Sequence, residues 1–251
     1  MKFASFDLEI AKVIENDTPD WRSMTPLGIT CAAVALTGCD DPRFWHGRPK
    51  LTQEECCKLV ADLQAIVAEG YTLLTWNGSS FDFAVLAEES GMYRECVELN
   101  AMHIDMMLLV TFVKGYFLGL QKALIGAGLA GKLKHVTLND GTPLTEMNGA
   151  LAPKLWAQGE CDAVLSYLRD DVLQPLLLAE HIEREKKIRW TSNAGKPQFV
   201  AVPKLLTVRE CFSLPIPDTS WMKDPPSRGH FIEWTIPYLP CPSEQFYPGL
   251  V

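Results

Sequence analysis

Two carboxylates stand near the start of the chain, Asp7 and Glu9, in the run Phe6-Asp7-Leu8-Glu9-Ile10. Side chains alternate faces along a strand, so Ala4, Phe6, Leu8 and Ile10 point one way. Asp7 and Glu9 then point the other way, side by side. Carboxylates held together on an otherwise apolar strand repel each other at neutral pH. A hard divalent cation relieves the repulsion, because an ion such as Mg²⁺ binds carboxylate oxygens while keeping several waters. An edge strand with a solvated outer face would carry the same pair without an ion.

Two further pieces lie downstream. Asn77-Gly78-Ser79-Ser80-Phe81-Asp82 falls where the β-rich run Tyr71 to Trp76 gives way to a helical pattern from about Phe81. Such strand–helix junctions gather ligand groups in α/β sheets. An acid at position 82 sits in the first helical turn, where exposed backbone N–H groups favour its charge. Alone, the segment reads equally as a turn, a serine cap and an ordinary first-turn acid. The third piece, Tyr167-Leu168-Arg169-Asp170-Asp171, lies in a long helical pattern. Tyr167 and Asp171 are four apart and present a phenol and a carboxylate to one point. Alone, that spacing occurs by chance in many helices.

The three pieces in this order resemble the DEDD exonuclease superfamily. The tyrosine resembles its DEDDy branch, and the pattern is most similar to the proofreading exonuclease domain of family-B DNA polymerases. The likeness covers roughly residues 1 to 190. It implies a ribonuclease H-like fold: α/β, with a mixed sheet flanked by helices. It also implies that Asp7, Glu9, Asp82 and Asp171 hold two ions, Mg²⁺ or Mn²⁺. Asp7 would bridge them, Glu9 and Asp171 would serve the nucleophile-side ion, and Asp82 the other, largely through water. Tyr167 would position the attacking water, and Asn77 and Phe81 would line the path of the terminal nucleotide. In-line hydrolysis of a phosphodiester needs both the entering and the leaving oxygen stabilised, and two ions about 4 Å apart supply both. The implied activity is a 3′–5′ exonuclease acting on single-stranded DNA or RNA ends, since both polymers offer the same phosphates. Two other readings stay open: a catalytically silent domain that binds nucleic acid or a protein partner through the same cleft, and a phosphodiesterase of very short oligonucleotides.

The elements that must position these residues are legible in outline. Lys2 to Val13 and Leu27 to Leu36 read as strands, joined by a polar loop with Asp17, Pro19 and Asp20, and Arg43 to His46 as a short third. Three sequential strands before a helix predict an antiparallel start to a mixed sheet. Thr52 and Glu55 have capping-box spacing, Leu59, Val60, Leu63, Ile66 and Val67 form the apolar face that follows, and Gly70 closes the helix. The strand after it completes a βαβ unit and is therefore expected parallel to its neighbour. Met92 to Gly128 reads as helical with breaks near Asn100 and Gly115; within it Asp105 reads as a helix cap and His103 as a packed side chain. Gly131 to Pro143 reads as a loop, 153 to 159 as a short helix or turn, and Glu160 to Ile188 as a long helix bent at Pro175, which sits inside it and removes a backbone bond to residue 171. Ile188 to Val202 resembles a hairpin turning at Asn193-Ala194-Gly195-Lys196.

Composition shifts after Trp190: ten of the seventeen prolines fall between Pro197 and Pro248, among several aromatics. Residues 191 to 251 are therefore expected to form an extension packed on a domain of residues 1 to 190, not a disordered tail. The eight cysteines form no Cys-x-x-Cys pair and suit reduced thiols in a cytoplasmic protein. No apolar run is long enough to span a membrane, and no signal peptide is evident. The net charge of −8 argues against broad electrostatic capture of nucleic acid, although clustered metal-binding acids contribute to it. Candidate phosphate contacts are Lys122, Lys132, Lys134 and the group Arg184, Lys186, Lys187 and Arg189, each of which also reads as a solvated cation.

Overall fold

The alternation at the start of the chain divides the core in two. In the computed structural model, which describes residues 1–14 and 20–250, strand β1 spans Phe3–Ile10. Asp17 and Pro19 of the expected first loop lie outside the described residues. Strands β2 (Ile29–Leu36) and β3 (Arg43–His46) follow, then helix α1 (Gln53–Ala68), whose Thr52 and Glu55 form the expected reciprocal cap. Strand β4 (Thr72–Thr75) leads to helices α2 (Asp82–Ser90) and α3 (Tyr93–Met102), the two-residue strand β5 (Ile104–Asp105), and helices α4 (Met106–Lys114) and α5 (Leu120–Gly126). The first five strands make one sheet in the order β3-β2-β1-β4-β5. β1–β2 and β2–β3 are antiparallel, whereas β1–β4 and β4–β5 are parallel. This is the mixed sheet expected from the strand order.

Ala4, Phe6, Leu8 and Ile10 pack with Leu59, Leu63 and Phe83 of α1 and α2 on one face of the sheet. The other face is covered chiefly by α7 (Cys161–Glu185), after the short strands β6 (Val136–Thr137) and β7 (Pro143–Leu144) and helix α6 (Ala152–Ala157). The apolar stripe of α7 includes Val164, Leu168 and Val172, all fully buried, so its packing fixes which way Tyr167 and Asp171 point. The helix runs continuously through Pro175 and ends at Glu185, three residues before the expected limit. Lys186 adopts a left-handed conformation there, and the chain reverses into β8 (Lys187–Thr191), which pairs with β9 (Pro197–Ala201) across the expected turn.

Side chains from the last fifty residues enter the same apolar cluster as α4 and α7. Phe112 of α4 meets Phe212 edge-on at 5.0 Å and Phe231 at 5.7 Å, and Phe212 lies 4.7 Å from Tyr247. Arg228 lies over the Phe112 ring and donates to the carbonyls of Leu214 at 2.8 Å and Pro215 at 2.7 Å. The segment also reaches the 77–82 turn: Trp234 Nε1 donates to the Ser79 carbonyl at 2.8 Å, and Ser79 Oγ to the Phe231 carbonyl at 3.2 Å. Among the described residues, no helix is long and apolar enough to cross a membrane.

Candidate metal centre

β4 pairs only with Phe3 to Ser5 of β1, so the acidic end of β1 projects beyond it. There the Leu8 N–H donates to Asp82 Oδ1 at 3.1 Å, and the first residue of α2 stands where a strand neighbour would otherwise be. Asp82 also lies close enough to Asp7 for its charge to bear on that carboxyl. From the other side α7 brings in Asp171, and carboxylate oxygens of Asp7, Glu9 and Asp171 all lie within 4.8 Å of one another. The donor set is hard and anionic, as a divalent ion with oxygen ligands requires. Asp171 Oδ1 is buried and accepts no hydrogen bond among the described residues, which leaves its lone pairs available to a cation. These residues fit a divalent metal.

Electrostatics follow from this crowding. Burial, then the charges of Asp82, Asp171 and Glu9, raise the Asp7 carboxyl well above its ordinary range. Burial and Asp171 do the same to Glu9. Asp171 is also raised, chiefly by burial, against the opposing pull of Lys132. Asp82 is pushed up to about 6, again chiefly by burial. Burial and mutual repulsion thus make all four acids hold a proton more readily than isolated carboxyls do.

Lys132 is the residue whose place in the site the spacing did not reveal. It was visible only as one of several candidate phosphate contacts, yet its Nζ lies 3.1 Å from Asp171 Oδ2 and donates to the Tyr167 hydroxyl at 3.0 Å. Burial opposes its charge, but Asp171 and Asp7 outweigh that and raise its pKa. Tyr167 is buried, and burial together with Asp171 raises its phenol far above the ordinary value. Neither group is poised to take up a proton from water at neutral pH; both can orient one.

A cleft of about 540 Å³ opens over these side chains, lined by Asp7, Glu9, Lys132, Tyr167, Asp171 and, at its rim, Phe81. Phe81 is half-buried and held edge-on against Trp21, with ring centroids 5.0 Å apart. Gly149 and Ala150 form part of the wall, and a Cβ added at Gly149 would lie 3.8 Å from Glu9 Oε2. Nothing in the sequence marked that segment, because it contributes backbone and not reactive side chains. Asn77 is not among the residues lining the cleft: it takes a left-handed turn with φ 77°, and its side chain accepts from Ser80 Oγ at 2.7 Å.

His103 and Asp105 play the supporting roles expected of them. Asp105 caps α4, accepting from Met107 and Leu108, and also takes the N–H groups of Asn77 and Ser79, each at 3.0 Å. It thereby joins the start of α4 to the turn that delivers Asp82. His103 is fully buried between the Thr75 hydroxyl and the Asn100 carbonyl, and burial pushes its pKa down to about 3.

The other candidate cations lie elsewhere. Lys134 pairs with Glu146, Arg184 with Glu185 and Lys186 with Glu183, while Lys187 and Arg189 sit on β8. All eight cysteines are free thiols. Compared with family models, with curated proteins and with solved structures, the chain matches none of them.

Proposed function

We propose that the chain is a metal-dependent 3′–5′ exonuclease of the ribonuclease H-like fold and the DEDDy type, removing nucleotides from single-stranded DNA or RNA ends. The observation that carries this reading is the convergence of Asp7, Glu9 and Asp171 to within 4.8 Å, with Tyr167 one turn before Asp171 on the same buried helix face. The strand order, with β1 central, antiparallel pairings on one side of it and parallel pairings on the other, supports the fold assignment.

Asp7, Glu9 and Asp171 would hold one Mg²⁺ or Mn²⁺, and Asp7 with Asp82 a second. Bound ions supply the charge that stabilises the entering and leaving oxygens of a phosphodiester. The chain's own groups do the rest. The Tyr167 hydroxyl, kept protonated, orients the attacking water. The Lys132 ammonium, kept charged, meets a non-bridging phosphate oxygen. Phe81 presents its ring to the terminal base, and the Gly149–Ala150 wall limits how much water enters. Asn77, turned toward Ser80, acts on the substrate only through the turn it shapes.

The Lys132–Asp171 ion pair also suits the second reading, a silent domain in which the ammonium stands permanently in place of a metal ion. One experiment separates the two. End-labelled single-stranded DNA and RNA are incubated with the protein and Mg²⁺ or Mn²⁺, and the products are resolved by length. A ladder shortening from the 3′ end, lost in Asp7→Ala, is the expected result. No hydrolysis with either metal or polymer refutes the enzyme reading.

A further inference from the structure

The β8–β9 hairpin presents an outer face unlike the chain's overall charge. Its register sets Lys187 opposite Ala201, Arg189 opposite Phe199 and Thr191 opposite Pro197, while Ile188, Trp190 and Val200 on the inner face are buried. The outer face thus bears two cations and an exposed aromatic ring with no acid, on a chain of net charge −8. Arg184 and Lys186 are matched by Glu185 and Glu183, but Lys187 and Arg189 have no acidic partner among the described residues. Between the hairpin and α5 runs a groove of about 460 Å³, walled by Ile125 and Phe199, which are 56% and 60% exposed. Gly126 makes its floor: a Cβ there would collide with the Arg189 carbonyl, so only glycine lets the two backbones approach.

The groove adjoins the acidic cleft through α5. Gln121 Oε1 accepts the backbone N–H of Lys132 at 2.7 Å, and the next residue, Lys122, donates to Asn193 Oδ1 in the hairpin turn at 2.7 Å. From Gln121 to Ile125 is one helical turn, about 6 Å of rise.

We propose that this groove binds single-stranded nucleic acid, with bases laid against Phe199 and Ile125 and phosphates met by Arg189 and Lys122. The proposal rests on the exonuclease reading and extends it to the strand upstream of the end in the cleft. Charge complementarity selects the occupant. An exposed apolar pair flanked by cations that have no acidic partner among the described residues suits a polymer that offers base faces and phosphates in alternation, and such stacking tolerates any base sequence. Phosphate contacts also make binding fall with salt.

The test is fluorescence anisotropy with a fluorescein-labelled oligothymidylate and oligouridylate of about twelve nucleotides, within the range one such binding surface spans. It is run in EDTA so that nothing is cut. Arg189→Glu should weaken binding about tenfold or more and flatten its salt dependence. Phe199→Ala should weaken it about fivefold or more through lost stacking. Lys58→Glu, the same charge change on α1, should bind as the wild type does. Melting curves check that each variant folds, and Arg189→Gln replaces Arg189→Glu if the reversal does not. Wild-type affinity in both groove variants overturns the proposal, as does a wild type that binds neither oligonucleotide. So does a face that serves a second copy of the chain, seen as a sedimenting dimer lost in Phe199→Ala with oligonucleotide binding unchanged. Oligonucleotides bound through the groove but left intact in Mg²⁺ and Mn²⁺ would sink the exonuclease reading and leave the groove standing. Hydrolysis by a protein whose groove variants bind normally would do the reverse.

Discussion

The Lys132 ammonium lies 3.1 Å from the Asp171 carboxylate, so the cluster of acids suited to a metal ion already contains a cation of the protein's own. Asp7, Glu9 and Asp171 all feel it, and it opposes the rise in pKa that burial and mutual repulsion impose on them. Lys132→Met keeps the aliphatic stem and removes that charge. The metal-free variant should melt below the wild type, and Mn²⁺ should raise its Tm by more than it raises the wild type's, because no ammonium competes for Asp171. Thermal melts with and without Mn²⁺ decide this; identical responses in the two proteins would show that the ammonium does not neutralise the cluster in solution.

Tyr167 and Asp171 share a helix face but should fail differently. Asp171→Asn removes a charge from the proposed ligand set, so Mn²⁺ affinity and turnover should fall together. Tyr167→Phe removes only the hydroxyl that meets Lys132. Metal binding should survive while turnover drops by ~10² to 10⁴, the span of one positioned proton-handling or orienting group. Calorimetric titration beside single-turnover hydrolysis separates the two quantities. A Tyr167→Phe protein that loses metal as Asp171→Asn does would make the phenol a structural group.

Asp82 should leave a mark on the pH dependence of stability. Its carboxyl is raised from an ordinary 3.8 to about 6, so the folded protein binds its proton at a higher pH than the unfolded chain does. The folded state then holds more protons between these limits, and this group's contribution declines as pH rises from about 4 to about 6, staying low above that. Asp82→Asn cannot ionise and still offers Oδ1 to the Leu8 N–H. In EDTA its Tm, relative to wild type, should therefore climb across that window, and a difference that stays flat with pH contradicts the assignment.

Asp105 gathers four backbone N–H groups while itself fully buried. Asp105→Ala would leave those donors without their acceptor, at about 1–3 kcal/mol for each that finds no substitute. A loss of about 3 kcal/mol or more in urea unfolding is expected, with hydrolysis impaired because the turn bearing Phe81 and Asp82 loses its anchor. Retention of both stability and activity would mean that the turn is held by Trp234 and Phe231 alone.

Local spacing carried much of this molecule. The two-residue period of Ala4 to Ile10 predicted that Asp7 and Glu9 share a face, and a four-residue step predicted the same of Tyr167 and Asp171, because backbone geometry sets both periods without help from the rest of the chain. The reciprocal cap of Thr52 and Glu55 and the cap at Asp105 were legible for the same reason. β5 was hidden inside a helical pattern, since a two-residue strand exists only through its pairing with β4. Lys132 looked like any loop lysine until β1 and α7 enclosed it between a phenol and three acids. Gly149 approached Glu9, and Trp234 reached the Ser79 carbonyl 155 residues away, only when the chain had closed over the sheet. Such contacts are set by how whole elements pack, and no residue's own type or local period encodes which distant partner it will meet.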